Sequence, residues 1–222
     1  MAKITYQNWG VIPYSKAFEK QTLLFDSKVK QKLNGNNDTE NYLIFCQHPH
    51  VYTLGKHGKI NNLLVDKDFL TKISATYYQT NRGGDITYHG FGQIVGYPVL
   101  DLEQFHLGLK DYITLIEQAI IDLMLEYGIL CKRLHGATGV WIKNNAGEQD
   151  RKICAIGVKA SRFVTMHGFA LNVNTDLSYF NYINPCGFVD KTVTSMQKEL
   201  ANEMNVQEIE DRLLHHIITL LK

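Results

Sequence analysis

The chain has 222 residues, 45% hydrophobic and 20% charged, with 23 Lys and Arg against 22 Asp and Glu for a formal net charge of +1. This composition excludes disordered, collagen-like and coiled-coil chains, and it is enough for a full core in one domain spanning residues 1–222. Near-neutrality argues against nucleic acid or an anionic membrane as partner, since both select a basic excess.

No apolar run approaches the ~20 residues that a membrane-spanning helix needs, and residues 1–10 lack the basic-then-apolar order of a secretory signal, so a cytoplasmic address is expected. Cys46, Cys131, Cys154 and Cys186 are widely spread without a C-x-x-C pair. Neither a zinc site nor a disulfide framework is expected, which leaves thiols.

In chain order, Phe18, Leu23, Leu24, Phe25, Val29 and Leu33 recur at helical spacing after Pro13, and the run Asn34-Gly35-Asn36-Asn37-Asp38 ends that helix. Residues 42–46 and 51–54 read as buried strands around the turn-prone His48-Pro49-His50, and residues 73–78 as a third strand. Residues 94–100 read as another strand. Tyr112, Ile116, Ala119, Ile120, Leu123 and Tyr127 then form one stripe of a helix over 109–127. Residues 140–142 and 152–158 flank the polar loop 144–148 as a hairpin, and 163–173 supply a further strand. Asn205, three residues before Glu208, caps a last helix whose apolar face is Val206, Ile209, Leu213, Ile217 and Leu220. Strands clustered with a few helices, without strict alternation, predict an α+β fold with a mixed sheet backed by helices.

Arg82-Gly83-Gly84-Asp85-Ile86-Thr87-Tyr88-His89-Gly90-Phe91-Gly92-Gln93 places four glycines in twelve residues between two strand-like runs. Backbone without Cβ atoms lets a ligand approach closely. The segment lacks the G-K-[ST] ending of a P-loop and the G-x-G-x-x-G of a dinucleotide site. Read alone, it fits a glycine-rich hairpin equally well.

Together with other pieces, the segment resembles the signature of the octanoyltransferases of lipoate biosynthesis. Four more motifs agree in order: His48-Pro-His-Val-Tyr-Thr-Leu-Gly55, Arg151-Lys152-Ile-Cys-Ala-Ile-Gly157, His167-Gly-Phe-Ala-Leu-Asn-Val173 and Asn184-Pro-Cys-Gly187. The resemblance covers about residues 5–200 and implies a biotin/lipoate protein ligase-like catalytic domain. It also implies transfer of an octanoyl or lipoyl group from acyl carrier protein to the acceptor lysine of lipoyl domains. These are the domains of the 2-oxoacid dehydrogenase E2 subunits and of the glycine cleavage H protein. The implied enzyme uses no cofactor and no metal, and a monomer is expected. The family usually has Pro where Phe91 stands and where Ala137 or Thr138 stands; both departures are read as altered turns remote from the chemistry.

The resemblance makes Cys186 the nucleophile that carries the acyl group as a thioester. The energetics suit a thiol: thioester exchange is nearly isoenergetic, and aminolysis of the acyl-cysteine forms a stable amide without ATP. A thiol of pKa ~8.5 is only slightly ionised at neutral pH and needs a nearby cation or base. Lys152 takes that role by resemblance, while its setting beside Arg151 alone reads as a solvated strand end. The other three cysteines read as small buried hydrophobes.

The resemblance assigns the substrate-lining positions to Arg82, Gly83, Gly84, Asp85, Ile86, Thr87, Tyr88 and His89, to Ala155, Ile156 and Gly157, and to Gly168, Phe169 and Ala170. His89 reads either as a donor to the thioester carbonyl or as a brace of the glycine loop. His48, His50 and His57 have no acidic or thiolate companion at metal-ligand spacing and read as entrance or turn residues. Lys56, Lys59, Lys132, Arg133 and Lys159 are candidates to meet an acidic carrier protein.

Two related activities stay open. An ATP-dependent lipoate ligase has a related fold, but its motif reads R-R-x-S/T-G-G-G and it needs no cysteine. An amidotransferase moves the chain between lipoyl domains and keeps the cysteine.

Overall fold

A computed structural model describes residues 2–36, 39–143, 149–184 and 191–222. In chain order the elements are strand β1 (Ile4–Val11), helix α1 (Tyr14–Leu33), strands β2 (Asn41–Gln47) and β3 (Val51–Leu54), short helix α2 (Lys67–Lys72), and strands β4 (Thr76–Gln79), β5 (Ile86–His89) and β6 (Gln93–Val99). Helix α3 (Leu109–Glu126) follows, then strands β7 (Cys131–Leu134), β8 (Ala137–Ile142), β9 (Asp150–Ser161), β10 (Val164–Asn172) and β11 (Lys191–Val193), and helices α4 (Met196–Leu200) and α5 (Val206–Leu220).

Among the described residues, the strands form an eight-stranded sheet, β1-β2-β6-β10-β9-β8-β7 with β11 beside β9, and a three-stranded sheet, β4-β3-β5. The large sheet is mixed: β1 runs parallel to β2 and β11 parallel to β9, while the other pairs are antiparallel. The predicted mixed sheet backed by helices is therefore the fold observed.

Strand alternation lets β2 serve two of the hydrophobic clusters. In β2, Leu43 and Phe45 face the core built with α3 and α5, whereas Ile44 and Cys46 face α1 through Ala17. Both faces of β2 are thus covered, as its continuous apolar run requires.

Of the stripe predicted for α1, Phe25 is buried and Phe18, Leu24 and Val29 pack against the core, but the buried face is shifted at two positions. Leu23 and Leu33 are 68% and 62% exposed, while Tyr14, Ala17, Gln21, Phe25 and Lys28 are buried. The sheet edge beneath α1 is polar there: Lys28 Nζ donates to Thr39 Oγ1 at 2.9 Å and to Asn41 Oδ1 at 3.1 Å. Burial pushes the Lys28 pKa down to about 8.

The strand predicted over 73–78 begins only at Thr76. Asp66 caps the preceding helix by accepting from Phe69 N–H, and Ile73 closes that helix instead of opening the strand. The terminal helix starts as expected, with Asn205 accepting from the N–H groups of Gln207 and Glu208; Leu220 of its predicted face is 38% exposed. The hairpin of β8 and β9 is formed, and the loop 144–148 lies outside the described residues. No helix among the described residues is long and apolar enough to cross a membrane.

Candidate active site

The glycine segment is seated on β9. Gly83 N–H donates to the Val158 carbonyl at 2.9 Å, and a Cβ at Gly157 would stand 2.8 Å from the Gly83 carbonyl oxygen, so only glycine permits this approach. Gly84 turns the chain at φ +85°, in the left-handed region that glycine enters freely.

From the other side, the turn after β3 closes on the segment. Gly55, Lys56 and His57 donate their N–H groups to the carbonyls of Asp85, Arg82 and Gly84. Arg82 locks the arrangement, because its buried guanidinium donates to the Thr53 carbonyl at 2.6 Å, to Thr53 Oγ1 and to the Gly83 carbonyl. Its charge is thus directed to backbone architecture.

Beneath this segment lies a cavity of about 450 Å³ with a mostly apolar wall. That size suits a small-molecule or acyl-chain site. Of the positions expected to line it, Arg82 to Thr87, Lys152, Ala155, Ile156, Gly157 and Ala170 do so. Leu109 and Ile113 of α3, Thr138 and Trp141 of β8, Phe180, and Thr192 and Val193 of β11 complete much of the wall.

Apart from Thr138, noted as a departure from the family's Pro, sequence reasoning did not single these residues out, since they are ordinary positions of α3, β8, β11 and the 3-10 turn Leu177–Tyr182. The run Val140-Trp141-Ile142 signalled a strand but not a ligand wall.

Tyr88, Gly168 and Phe169 do not border this cavity. Tyr88 follows Thr87 in β5 and points to the opposite face, where it packs among Tyr52, Tyr179 and Phe180 and meets His50 Nδ1 at 2.7 Å. Gly168 and Phe169 border a second void of about 50 Å³, which shares Arg82, Thr87, Ala155, Ile156, Gly157 and Ala170 with the main cavity.

That second void holds His89 and His167, with Tyr14 and Tyr97. Burial, reinforced by neighbouring positive charge, pushes the His89 and His167 pKa values down to about 3; burial alone pushes His48, hydrogen-bonded to Tyr97, down to about 4. All three rings are neutral at physiological pH.

His89 is hydrogen-bonded into the loop. Its Nδ1–H donates to Gln93 Oε1 at 2.8 Å, Gln93 Nε2 donates to Asn172 Oδ1 at 2.8 Å, and Asn172 Nδ2 donates to the Thr194 carbonyl at 2.9 Å. Thr194 N–H in turn donates to the Lys152 carbonyl at 2.9 Å, so a continuous hydrogen-bonded chain ties the glycine segment to β9.

Lys152 enters the cavity wall from β9, in register with Trp141 of β8. Its Nζ lies 4.6 Å from the Trp141 ring centroid and donates to the Thr138 carbonyl at 3.2 Å. The substitution of Pro by Ala137 or Thr138 was expected to lie away from the chemistry; the backbone at Thr138 instead touches the proposed catalytic lysine.

Cys186 lies outside the described residues, and the described chain on either side of it is anchored at the cavity. Before it, Asn184 N–H donates to the Asn62 carbonyl at 2.8 Å, and Asn62 Nδ2 donates to Asp85 Oδ2 at 2.6 Å. After it, β11 pairs with the start of β9, with Val193 opposite Lys152.

The other cysteines are poor nucleophiles: burial pushes Cys131 up to about 12 and Cys46 and Cys154 higher still. Of the candidate docking cations, Lys132 pairs with Asp150 at 2.7 Å, Arg133 with Glu117 at 3.1 Å, and Lys159 lies 4.6 Å from the Phe25 ring centroid.

The family described as the lipoyl protein ligase A/B catalytic domain matches residues 14–218. An octanoyltransferase of Bacteroides fragilis is 54% identical over 214 residues, 96% of each chain, and one of Cytophaga hutchinsonii is 48% identical over 226 residues, 99% of this chain and 93% of the relative.

Among solved structures, the bipartite lipoate protein ligase of Thermoplasma acidophilum aligns with a TM-score of 0.73 at 14% identity, covering 100% of this chain and 84% of that one. The biotin protein ligase of Aquifex aeolicus aligns at 0.52 and 12%, covering 100% and 70%. These two likenesses establish the shared fold.

Proposed function

The chain belongs to the octanoyltransferases of the lipoyl protein ligase A/B catalytic family, and we propose that it moves an octanoyl group from acyl carrier protein to the lysine of a lipoyl domain through an acyl-cysteine on Cys186. The observation that carries this reading is the meeting of the glycine segment and Lys152 on one largely apolar cavity of about 450 Å³. Around it, the whole chain works as a single catalytic domain, a cytoplasmic monomer without cofactor. Its acceptors are the lipoyl domains of 2-oxoacid dehydrogenase E2 subunits and the glycine cleavage H protein.

In the resting enzyme Cys186 is a thiolate and Lys152 an ammonium. The thiolate attacks the donor thioester carbonyl, a new C–S bond forms, and the donor sulfur leaves with the Lys152 proton as a free thiol. Lys152 is then a neutral amine.

The acceptor lysine enters after losing one proton to solvent, and its amine attacks the acyl-cysteine. The amide bond forms, Cys186 leaves as thiolate, and the surplus proton of the attacking nitrogen passes to Lys152. The original ion pair is restored, and one proton per turnover is released. The apolar wall holds the alkyl chain by burial, and glycine backbone bordering the cavity suits an oxyanion that develops at the carbonyl.

The test is transfer without nucleotide. With octanoyl-acyl carrier protein and an unmodified lipoyl domain, the protein should octanoylate the domain in the absence of ATP. ATP-dependent use of free octanoate that survives Cys186→Ala would instead make it a ligase, and acylation only from a second, already octanoylated lipoyl domain would make it an amidotransferase.

A further inference from the structure

Lys152 does not reach the cavity as an unsupported strand-end side chain. We propose that Trp141, together with the Thr138 carbonyl, is a positioning residue that holds the Lys152 ammonium charged at the cavity wall. This inference rests on Lys152 acting in the transfer reaction proposed above.

The cradle is built from β8. Trp141 is only 2% exposed, and its indole Nε1–H donates to the Ala137 carbonyl at 2.9 Å, which fixes the ring four residues behind its own position. The ring fixed in this way lies 4.6 Å from Lys152 Nζ, within the range of a cation–π contact.

The Thr138 carbonyl is fixed independently. Gly139, with φ +122°, donates its N–H to Glu117 Oε1 at 2.9 Å, so α3 holds the β8 backbone beside the lysine. A Cβ at Gly139 would lie 2.5 Å from the Cys154 carbonyl oxygen, so the close pairing of β8 with β9 depends on that glycine.

A π face and a carbonyl oxygen both favour ammonium over amine. Together they strengthen the charged form that the thiolate needs before it is acylated.

The other charges around the lysine have partners of their own. Glu117 of α3 binds Arg133 and Gly139 N–H, Asp150 pairs with Lys132, Arg151 with Glu199, and across the cavity Arg82 binds Thr53 and Asp85 holds Asn62. Trp141 and the Thr138 carbonyl are contacts of Lys152 that carry no formal charge.

The experiment is single-turnover acylation by octanoyl-acyl carrier protein, followed by intact mass from about pH 6 to about pH 9.5, in wild type, Trp141→Phe and Trp141→Leu. The alkaline limb of loading reports loss of the ammonium. Trp141→Leu should slow loading at neutral pH by about 5- to 20-fold and move that limb about half to one pH unit lower. Trp141→Phe keeps a ring and should fall between.

A uniform loss of rate with an unmoved limb would reduce Trp141 to packing and overturn the inference, as would wild-type loading in Trp141→Leu. If Trp141→Leu does not fold, the Trp141→Phe limb decides: a lower limb supports the inference and an unmoved one overturns it. Failure of the wild type to load any acyl group would overturn the transfer mechanism itself, a result distinguishable from both.

Discussion

Two voids share one wall, formed by Arg82, Thr87, Ala155, Ile156, Gly157 and Ala170, yet they differ in what else faces them. The larger cavity is bordered by Lys152, Asp85 and glycine backbone, and the smaller by His89 and His167, whose rings are neutral and internally bonded. Membership of a motif therefore does not decide a chemical role. His89 stands inside the glycine signature and braces it, whereas Lys152 comes from a distant strand and faces open volume.

Acid stability sets the two regions apart most strongly. The unfolded chain protonates His48, His89 and His167 below about pH 6.5, while the folded protein resists until about pH 3 or 4. Their contribution is therefore whole above about pH 6.5 and is lost progressively on acidification. At about pH 5 each ring costs about 2 kcal/mol, up to about 6 kcal/mol in all. Urea unfolding should show a markedly lower midpoint at pH 5 than at pH 7, and equal midpoints would mean that these rings are not buried as described.

The next effect belongs to the larger cavity. Lys152→Ala should slow acyl loading by about 10²- to 10⁴-fold with little change in unfolding midpoint, and Lys152→Arg should retain part of the rate by keeping a cation. Stopped mass-spectrometric sampling measures both, and loading at the wild-type rate in Lys152→Ala would remove the lysine from the chemistry.

A smaller effect is expected at His89. His89→Asn should lower turnover about tenfold at every pH, because the brace weakens while no proton-transfer group is lost. A displaced limb in its pH–rate profile would turn His89 from brace into acid–base participant.

Much of this architecture was legible in the sequence. Periodicity located α1, α3 and α5, and the continuous apolar run of β2 announced a strand covered on both faces. The face of α1 was legible only in part: Phe18, Leu24, Phe25 and Val29 pack as the spacing predicts, but Gln21 and Lys28 are buried by a polar sheet edge that only folding assembles, and Leu23 and Leu33 lie outside. The glycine segment was recognisable from composition and motif order. Trp141 and the Thr138 carbonyl were not, since a backbone oxygen carries no sequence signature and a strand tryptophan looks like core. The alternation that turns Tyr88 away from the cavity was readable in principle, had strand β5 been assigned over Ile86–His89.

The most direct measurement is peptide-mapped mass spectrometry of the protein after incubation with octanoyl-acyl carrier protein and no acceptor. One octanoyl group on Cys186, lost on adding a lipoyl domain, is the predicted result. An octanoyl group on Cys46, Cys131 or Cys154, or none while the lipoyl domain is still modified, would contradict it.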